Sequence, residues 1–444
     1  MGAAASVVKR VRDLLTVNDT AGTYPPSYYA SAAKHLGGFD AIAGDVSCDV
    51  CVIGGGFTGL STALHLAKRG YDVRLVEAQR VGFGASGRNG GQVGQGQRLD
   101  QDELEAKFGL ERAKELWTIG TQAVELVREL ASSDLVHADF HPGIIHADHR
   151  ERFVRHSREY VDKLNTQYDY PHVRFLDQEE MRATVNSPVY FGGSLDTQSG
   201  HIDPLEFVLG LARMAVEQGA KLHENSRVSK VETGAKVKIH TDQACITADQ
   251  LVLACNGYIG DLHSDVARRV MPINNYVVAT APMSPEQQEQ IIKGKVAVAD
   301  SKFVVNYFRF SDDNRLLFGG TESYGYRFPK DIAKQVRKPL GEIFPQLADV
   351  QIDHAWGGTL GITMNRLPHY ERYAGNILSM SGFSGSGVAL GTLSGQIAAE
   401  AIAGQSERFD VMAQIPTPRF PGGPRMQHPM LILAMLWYSL RDKL

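Results

Sequence analysis

The chain has 444 residues, 43% of them hydrophobic and 22% charged, with a net charge of −4. That length exceeds one compact core and implies two domains, and that charge argues against a nucleic-acid partner. Four cysteines in so long a chain exclude a disulfide framework, so a reducing compartment, the cytoplasm, is expected.

Residues 1–20 carry Val7, Val8, Val11, Leu14 and Leu15 between basic residues. They read either as a weak amphipathic helix resting on a membrane or as a surface helix or frayed terminus. The first clear unit is strand–turn–helix. Val50–Ile53 is a run of β-formers, Gly54-Gly55-Gly56-Phe57-Thr58-Gly59 follows, and a helix is expected from Leu60 to Arg69. The next strand, Asp72 to Val76, ends at Glu77, about 20 positions after the turn. Gly54 permits the tight turn, Gly56 lets backbone approach a pyrophosphate, and Gly59 lets helix and strand pack closely. The helix N-terminus offers N–H groups to phosphate, and Glu77 can accept from ribose hydroxyls. A dinucleotide is therefore expected, and an acid at this place disfavours a 2′-phosphate. Cys48 and Cys51, three apart on the first strand, are expected to face opposite sides and fill the core.

Farther on, Gly82-Phe83-Gly84-Ala85-Ser86-Gly87-Arg88-Asn89-Gly90-Gly91-Gln92 is dense in glycine, as suits a loop lying flat against a ring system. Glu103–Leu130 reads as helix by its apolar spacing. Leu251–Ala254 is a buried strand leading into Asn256-Gly257. Tyr276–Ala281, Phe303–Phe310 and Arg315–Phe318 read as strands of a meander. Ser381-Gly382-Phe383-Ser384-Gly385-Ser386-Gly387 enters a helix running through Leu390, Leu393, Ile397 and Ala401. Met430–Tyr438 is apolar but too short to span a bilayer. Three separated glycine loops favour FAD over NAD.

These stretches resemble the D-amino-acid-oxidase-like (DAO) superfamily of FAD oxidoreductases, and within it the gamma-glutamylputrescine oxidoreductases. The likeness rests on Ser27-Tyr28-Tyr29, the first glycine motif and the Gly84–Gln92 loop. It continues through Gly200-His201-Ile202-Asp203-Pro204, Asp313–Gly320, Arg408-Phe409-Asp410, Phe420-Pro421-Gly422-Gly423 and Tyr438-Ser439-Leu440-Arg441-Asp442. It implies an α/β chain with an α+β substrate domain: a Rossmann-type FAD-binding domain built from discontinuous segments, and a second domain with an antiparallel sheet. The expected division is an N-terminal extension at 1–26, FAD-binding segments at 27–99, 172–262 and 353–410, substrate segments at 100–171 and 263–352, and a tail at 411–444.

The resemblance places FAD against Gly54, Gly56, Phe57, Thr58, Gly59, Glu77 and Ala78 in the first unit. It adds Ser86, Arg88, Asn89, Gly90, Gly91 and Gln92, then Val228, Asn256 and Gly257, and finally Gly385, Ser386 and Gly387. Sarcosine oxidases, more distant cousins, tether flavin to a cysteine where this chain has Trp356-Gly357-Gly358, so FAD is expected to be non-covalent. Where those cousins hold a substrate carboxylate with lysine, this chain has Ala389. Where glycine and D-amino-acid oxidases use arginine, it has Leu360. Arg309 or Arg366 is then the expected anion anchor. The oxygen-assisting lysine of sarcosine oxidases falls on Leu317, which favours slow oxygen use. Relatives carry histidine where this chain has Ser386.

The chemistry implied is oxidation of an amine C–N bond, the α-hydrogen leaving as hydride to flavin and the imine then hydrolysing. Tyr307, Phe308 and Trp356 are expected to wall the substrate, and Tyr307, Arg309, Trp356 and Ser386 to serve catalysis. No metal is expected. A gamma-glutamyl amine or polyamine is the leading substrate. An alternative is a secondary amino acid such as L-pipecolate, with electrons passed to a membrane carrier instead of oxygen. A non-catalytic dinucleotide-binding subunit is a remote third reading.

Overall fold

The computed structural model describes residues 13–33, 37–323 and 325–421. Val7, Val8, Val11 and the apolar Met430–Tyr438 segment lie outside them, and so does the amphipathic or membrane-touching reading of the start.

Two sheets organise the rest. The first has eight strands. Val46–Ile53 lies parallel to Val73–Val76 on one side and to Cys245–Leu253 on the other. Lys221–His223 and Ile377–Ser381 extend the parallel part outward. His369–Tyr373, Val237–His240 and Lys230–Glu232 complete it antiparallel. The central strand is apolar on both faces because both are covered. Val50 and Val52 belong to one core cluster, Cys51 and Ile53 to another. Every residue of helix Phe57–Ala67 is buried, since helices Pro204–Glu217 and Ala389–Ile402 pack against it. Such a helix cannot show the amphipathic stripe of a surface helix.

The second sheet has nine strands. Its order runs Ile352–Ile362, Met271–Thr280, Leu316–Ser323, Tyr307–Phe310, Ala297–Asp300, His141–Ala147, Gly193–His201 and Gln92–Val93, with Val173–Leu176 also beside Gly193–His201. All pairings are antiparallel except that of Ala297–Asp300 with His141–Ala147. One face carries Phe308, Phe318, Val298 and Ile145 into a core under helix Ile332–Ile343. The other face looks toward the first sheet. The expected architecture of a Rossmann-type unit plus an antiparallel-sheet unit is therefore present.

The expected boundaries divide the chain differently from the sheets. Val173–Leu176, Gly193–His201 and Ile352–Ile362 were placed with the FAD-binding segments, yet all three are strands of the second sheet. Helix Leu110–Ala131 was placed with the substrate segments, yet it packs on Ala389–Ile402 beside the first sheet. A strand's own periodicity says which face is apolar, never which strand lies next to it. The expected helix Glu103–Leu130 is two helices, Gln101–Phe108 and Leu110–Ala131, divided at Gly109 with φ of 82°. The expected strand Phe303–Phe310 begins only at Tyr307. Cys48 and Cys51 are free, as expected, but pack in one apolar cluster. The N–H groups of Asp49 and Val50 both point to the Asp72 carbonyl, at 3.0 and 3.2 Å. The register with Cys245–Leu253 nevertheless runs unbroken through this point.

Candidate active site

The first glycine turn is closed by contacts that admit no side chain. A Cβ on Gly54 would lie 2.7 Å from the Ala254 carbonyl oxygen, and one on Gly59 would lie 1.9 Å from that of Gly54. Helix Phe57–Ala67 starts without a side-chain cap, leaving first-turn N–H groups for an anion. The Phe57 N–H donates to Ser86 Oγ at 3.1 Å, which ties this turn to the second glycine loop. Glu77 accepts the Gly55 N–H at 2.6 Å and the Gln79 N–H at 2.9 Å. It thus holds the turn itself, and burial raises its carboxyl. Ala78 follows it in the same loop.

The second loop is stapled from within. Asn89 donates to the carbonyls of Ala85 and Ser86 at 3.0 and 2.9 Å and accepts the Gly91 N–H at 2.7 Å. Gln92 donates to the Val298 carbonyl at 2.8 Å, anchoring the loop to the second sheet. The Arg88 side chain turns away into a buried pair with Asp19 at 3.0 Å and a bond to the Phe83 carbonyl at 2.6 Å. The Tyr307 ring lies between two glycines: a Cβ on Gly90 would come within 2.5 Å of it, and one on Gly319 within 2.2 Å. Its hydroxyl donates to Asn275 at 2.5 Å. Burial pushes that phenol up.

The third loop holds Ser384 at φ 52° and Gly385 at φ 109°, then enters helix Ala389–Ile402, again without a side-chain cap. Asn256 Oδ1 accepts the Gly382 N–H at 2.9 Å. Gly257 fits under the Leu360–Gly361 backbone, where a Cβ would have 3.0 Å.

All three loops open on one cavity of about 550 Å³, within the usual range for a ligand site. Gly56, Phe57, Thr58, Ser86, Arg88, Asn89, Gly90, Gln92, Asn256, Gly385, Ser386 and Gly387 line it. Its floor is a cross-strand row of the second sheet, in which Tyr307 stands opposite Ala299, Ala299 opposite His146, and His146 opposite Ser194. All four face the cavity. Three strand spacings, about 14 Å in all, separate the ends of this row. Asn275, Glu322, Arg98, Arg366 and Leu360 also line the wall. Burial lowers His146, with Asp196 pulling the other way and Arg98 adding to the depression, so it is held neutral.

Several expected site residues lie elsewhere. Trp356 is 2% exposed, packs edge-on to Tyr29, and donates from its indole to the Arg88 carbonyl at 2.9 Å. It is core, not substrate wall. Phe308 stacks on Phe318 in the opposite core; strand alternation sends Tyr307 and Phe308 to opposite faces. Arg309 shares the face of Tyr307 but spends its guanidinium on the Gly90, Ile202 and Phe310 carbonyls and the Tyr29 hydroxyl. It is not on the cavity wall, so it is no substrate anchor. Leu317 and Ala389 are likewise core. Val228 is half-buried against the cluster of Cys48 and Cys51.

Arg98, His146, Asn275 and Glu322 were missed. Arg98 had a faint signal, since Gly94-Gln95-Gly96-Gln97 prolongs the glycine run up to it. The other three become neighbours only through sheet pairing.

The glycines, the two uncapped helix N-termini and the acid at Glu77 fit a flavin dinucleotide. A Cβ at Gly56, on the cavity wall, would lie 2.7 Å from Ser86 Oγ, and the cavity reaches both other loops. Known proteins agree. Residues 49–401 match the family model described as FAD dependent oxidoreductase, DAO. The chain is 42% identical over 418 residues to a probable oxidoreductase OrdL of Rhizobium meliloti, covering 94% of this chain and 97% of that one. It is 36% identical to the gamma-glutamylputrescine oxidoreductase of Escherichia coli, covering 94% and 98%. Among solved structures, the L-proline dehydrogenase of P. horikoshii superposes with a TM-score of 0.69 at 21% identity, covering 83% and 96%. The fold, the loops and these matches agree that the chain belongs to the DAO family of FAD-dependent oxidoreductases.

Proposed function

We propose that the enzyme oxidises the carbon–nitrogen bond of an extended amine, with a gamma-glutamyl amine as the leading substrate and a free polyamine second. The observation that carries this is the cavity itself. It joins the three glycine loops to a floor about 14 Å long that runs from Tyr307 to Ser194, more room than a two-carbon amino acid needs. The 36% identity to a gamma-glutamylputrescine oxidoreductase supports the same choice.

FAD, when bound, supplies a two-electron acceptor for the α-hydrogen of the amine. It would be held by the first-turn N–H groups of Phe57–Ala67, by the Ser86–Gln92 loop and by the Gly385–Gly387 loop. Tyr307 and Asn275, bonded to each other, form a fixed polar edge on the floor. His146, kept uncharged, adds no positive charge against the amine, which must itself be neutral to react. The apolar Leu360 and Phe383 exclude water at the same wall. Loss of two electrons and two protons gives an imine, and water then releases an aldehyde and the amine nitrogen. Product analysis tests this: each flavin reduced should yield one aldehyde. Reduction without aldehyde would refute it.

A further inference from the structure

Two guanidinium groups face the cavity and neither forms an ion pair among the described residues. Arg98 enters from the segment between the second glycine loop and helix Gln101–Phe108. Its Nε stands 3.9 Å from where a Cβ on Gly385 would lie, so it reaches the third loop. Arg366, at φ 63°, enters from the turn after strand Ile352–Ile362, its guanidinium 5.4 Å from the centre of the Phe303 ring. Desolvation by the protein around it, and next the charge of Arg366, pull Arg98 down.

The acids on the same wall are committed elsewhere. Asp196 accepts from the Tyr170 hydroxyl and the Ser199 hydroxyl, each at 2.7 Å, and from two backbone N–H groups. Asp300 accepts from Asn306 at 2.7 and 2.9 Å and from the Lys302 N–H. Asp100 caps the helix that follows it. Glu322 is the acid whose charge Arg98 feels most, yet the two form no ion pair. Two like charges on one cavity wall repel each other unless an anion sits between them. In a ligand cavity, the anion that relieves them is the ligand's own.

We propose that Arg98 and Arg366 form a carboxylate clamp that selects amines bearing an acidic head group over free polyamines. The clamp replaces the role expected of Arg309, whose guanidinium is spent on backbone carbonyls. This inference rests on the amine-oxidation reading and narrows it to one substrate class: an amine with a carboxylate elsewhere in the same molecule.

The test uses the FAD-loaded full chain and a probe that cannot be oxidised as a primary amine at its far end, N5-butylglutamine, titrated by calorimetry. Arg98→Gln and Arg366→Gln should each weaken probe binding roughly ten- to a hundredfold. Arg98→Lys, which keeps the charge but loses the planar fork, should fall between Arg98→Gln and the parent. Butylamine, which has no carboxylate, should bind all four proteins alike. Unchanged probe affinity in both glutamine variants, with flavin content and melting temperature retained, would overturn the clamp. So would a parent enzyme that is reduced by putrescine but does not bind the probe, a result that would leave amine oxidation intact. Failure of every amine to reduce the flavin would instead strike the reading beneath it.

Discussion

Arg309 donates from Nε to the carbonyl oxygen of Gly90 at 2.7 Å, so a buried cation of the second sheet holds the glycine loop that faces the cavity. The same guanidinium reaches the Ile202 carbonyl at 3.1 Å and the Tyr29 hydroxyl at 3.4 Å. Tyr29 in turn packs on Trp356, whose indole holds the Arg88 carbonyl. Arginine and tryptophan thus fix the loop from behind, at Gly90 and at Arg88.

Arg309→Met should therefore act on the scaffold. It leaves the Gly90, Ile202 and Phe310 carbonyls without their charged donor, at a cost of about 3 kcal/mol. We expect a lower melting temperature and faster flavin loss, with KM unchanged for the protein that keeps its flavin. A raised KM in fully flavin-loaded, equally stable Arg309→Met would return this residue to the substrate site.

Gly56→Val tests the phosphate turn. A Cβ at Gly56 would already lie 2.7 Å from Ser86 Oγ, and two further methyl groups would fill the approach to the helix N-terminus. Overpacking of about 1–3 kcal/mol should weaken FAD binding roughly ten- to a hundredfold. Circular dichroism should stay close to that of the parent. A variant that purified with a full complement of FAD would show that the phosphates bind elsewhere.

None of Cys48, Cys51, Cys245 and Cys255 lines the cavity, and Cys255, the nearest in sequence to its wall, has its thiol pushed up to about 12 by burial. Acid or heat should release FAD into the supernatant. Flavin that remained with the precipitated polypeptide would reveal a covalent link.

His65 supplies a pH test of the first domain. Burial lowers it to about 4, and its Nδ1 donates to the Ser61 carbonyl at 2.8 Å. A base depressed on folding contributes stability that is present above its unfolded pKa and lost as pH falls toward its folded one. The window is thus pH 6.5 down to 4, and the contribution is at most about 3 kcal/mol. Asp203 and Asp300, each raised to about 6 by burial, act in the opposite direction. Their contribution is present at low pH and is lost as pH rises toward 6. His65→Gln should therefore lose less melting temperature than the parent between pH 6.5 and 4.5. Parallel curves for the two proteins would remove His65 as a source of acid sensitivity.

The first glycine motif and its acid were legible because each glycine does a local job: strand, turn and helix follow one another in the chain. The Ser384–Gly387 loop was legible for the same reason. Trp356 and Arg309 were misplaced because an aromatic or a cation on a strand looks the same whether it faces a cavity or the back of a loop. Strand alternation separates Tyr307 from Phe308 but not Tyr307 from Arg309; that distinction needed the position of Gly90. His146 and Ala299 could not be paired from sequence, since a parallel pairing between residues 153 apart leaves no local trace. The same blindness misplaced Gly193–His201 and Ile352–Ile362 between the two sheets.

If the cavity oxidises an extended amine, such an amine must reduce the bound flavin on its own. The most direct test is an anaerobic titration of the yellow protein, following flavin absorbance as gamma-glutamylputrescine is added and, in a parallel cuvette, putrescine. Complete bleaching by the first at low concentration is expected, with putrescine needing far more. An oxidised spectrum that survives excess of both compounds, and of other amines and amino acids, would contradict it.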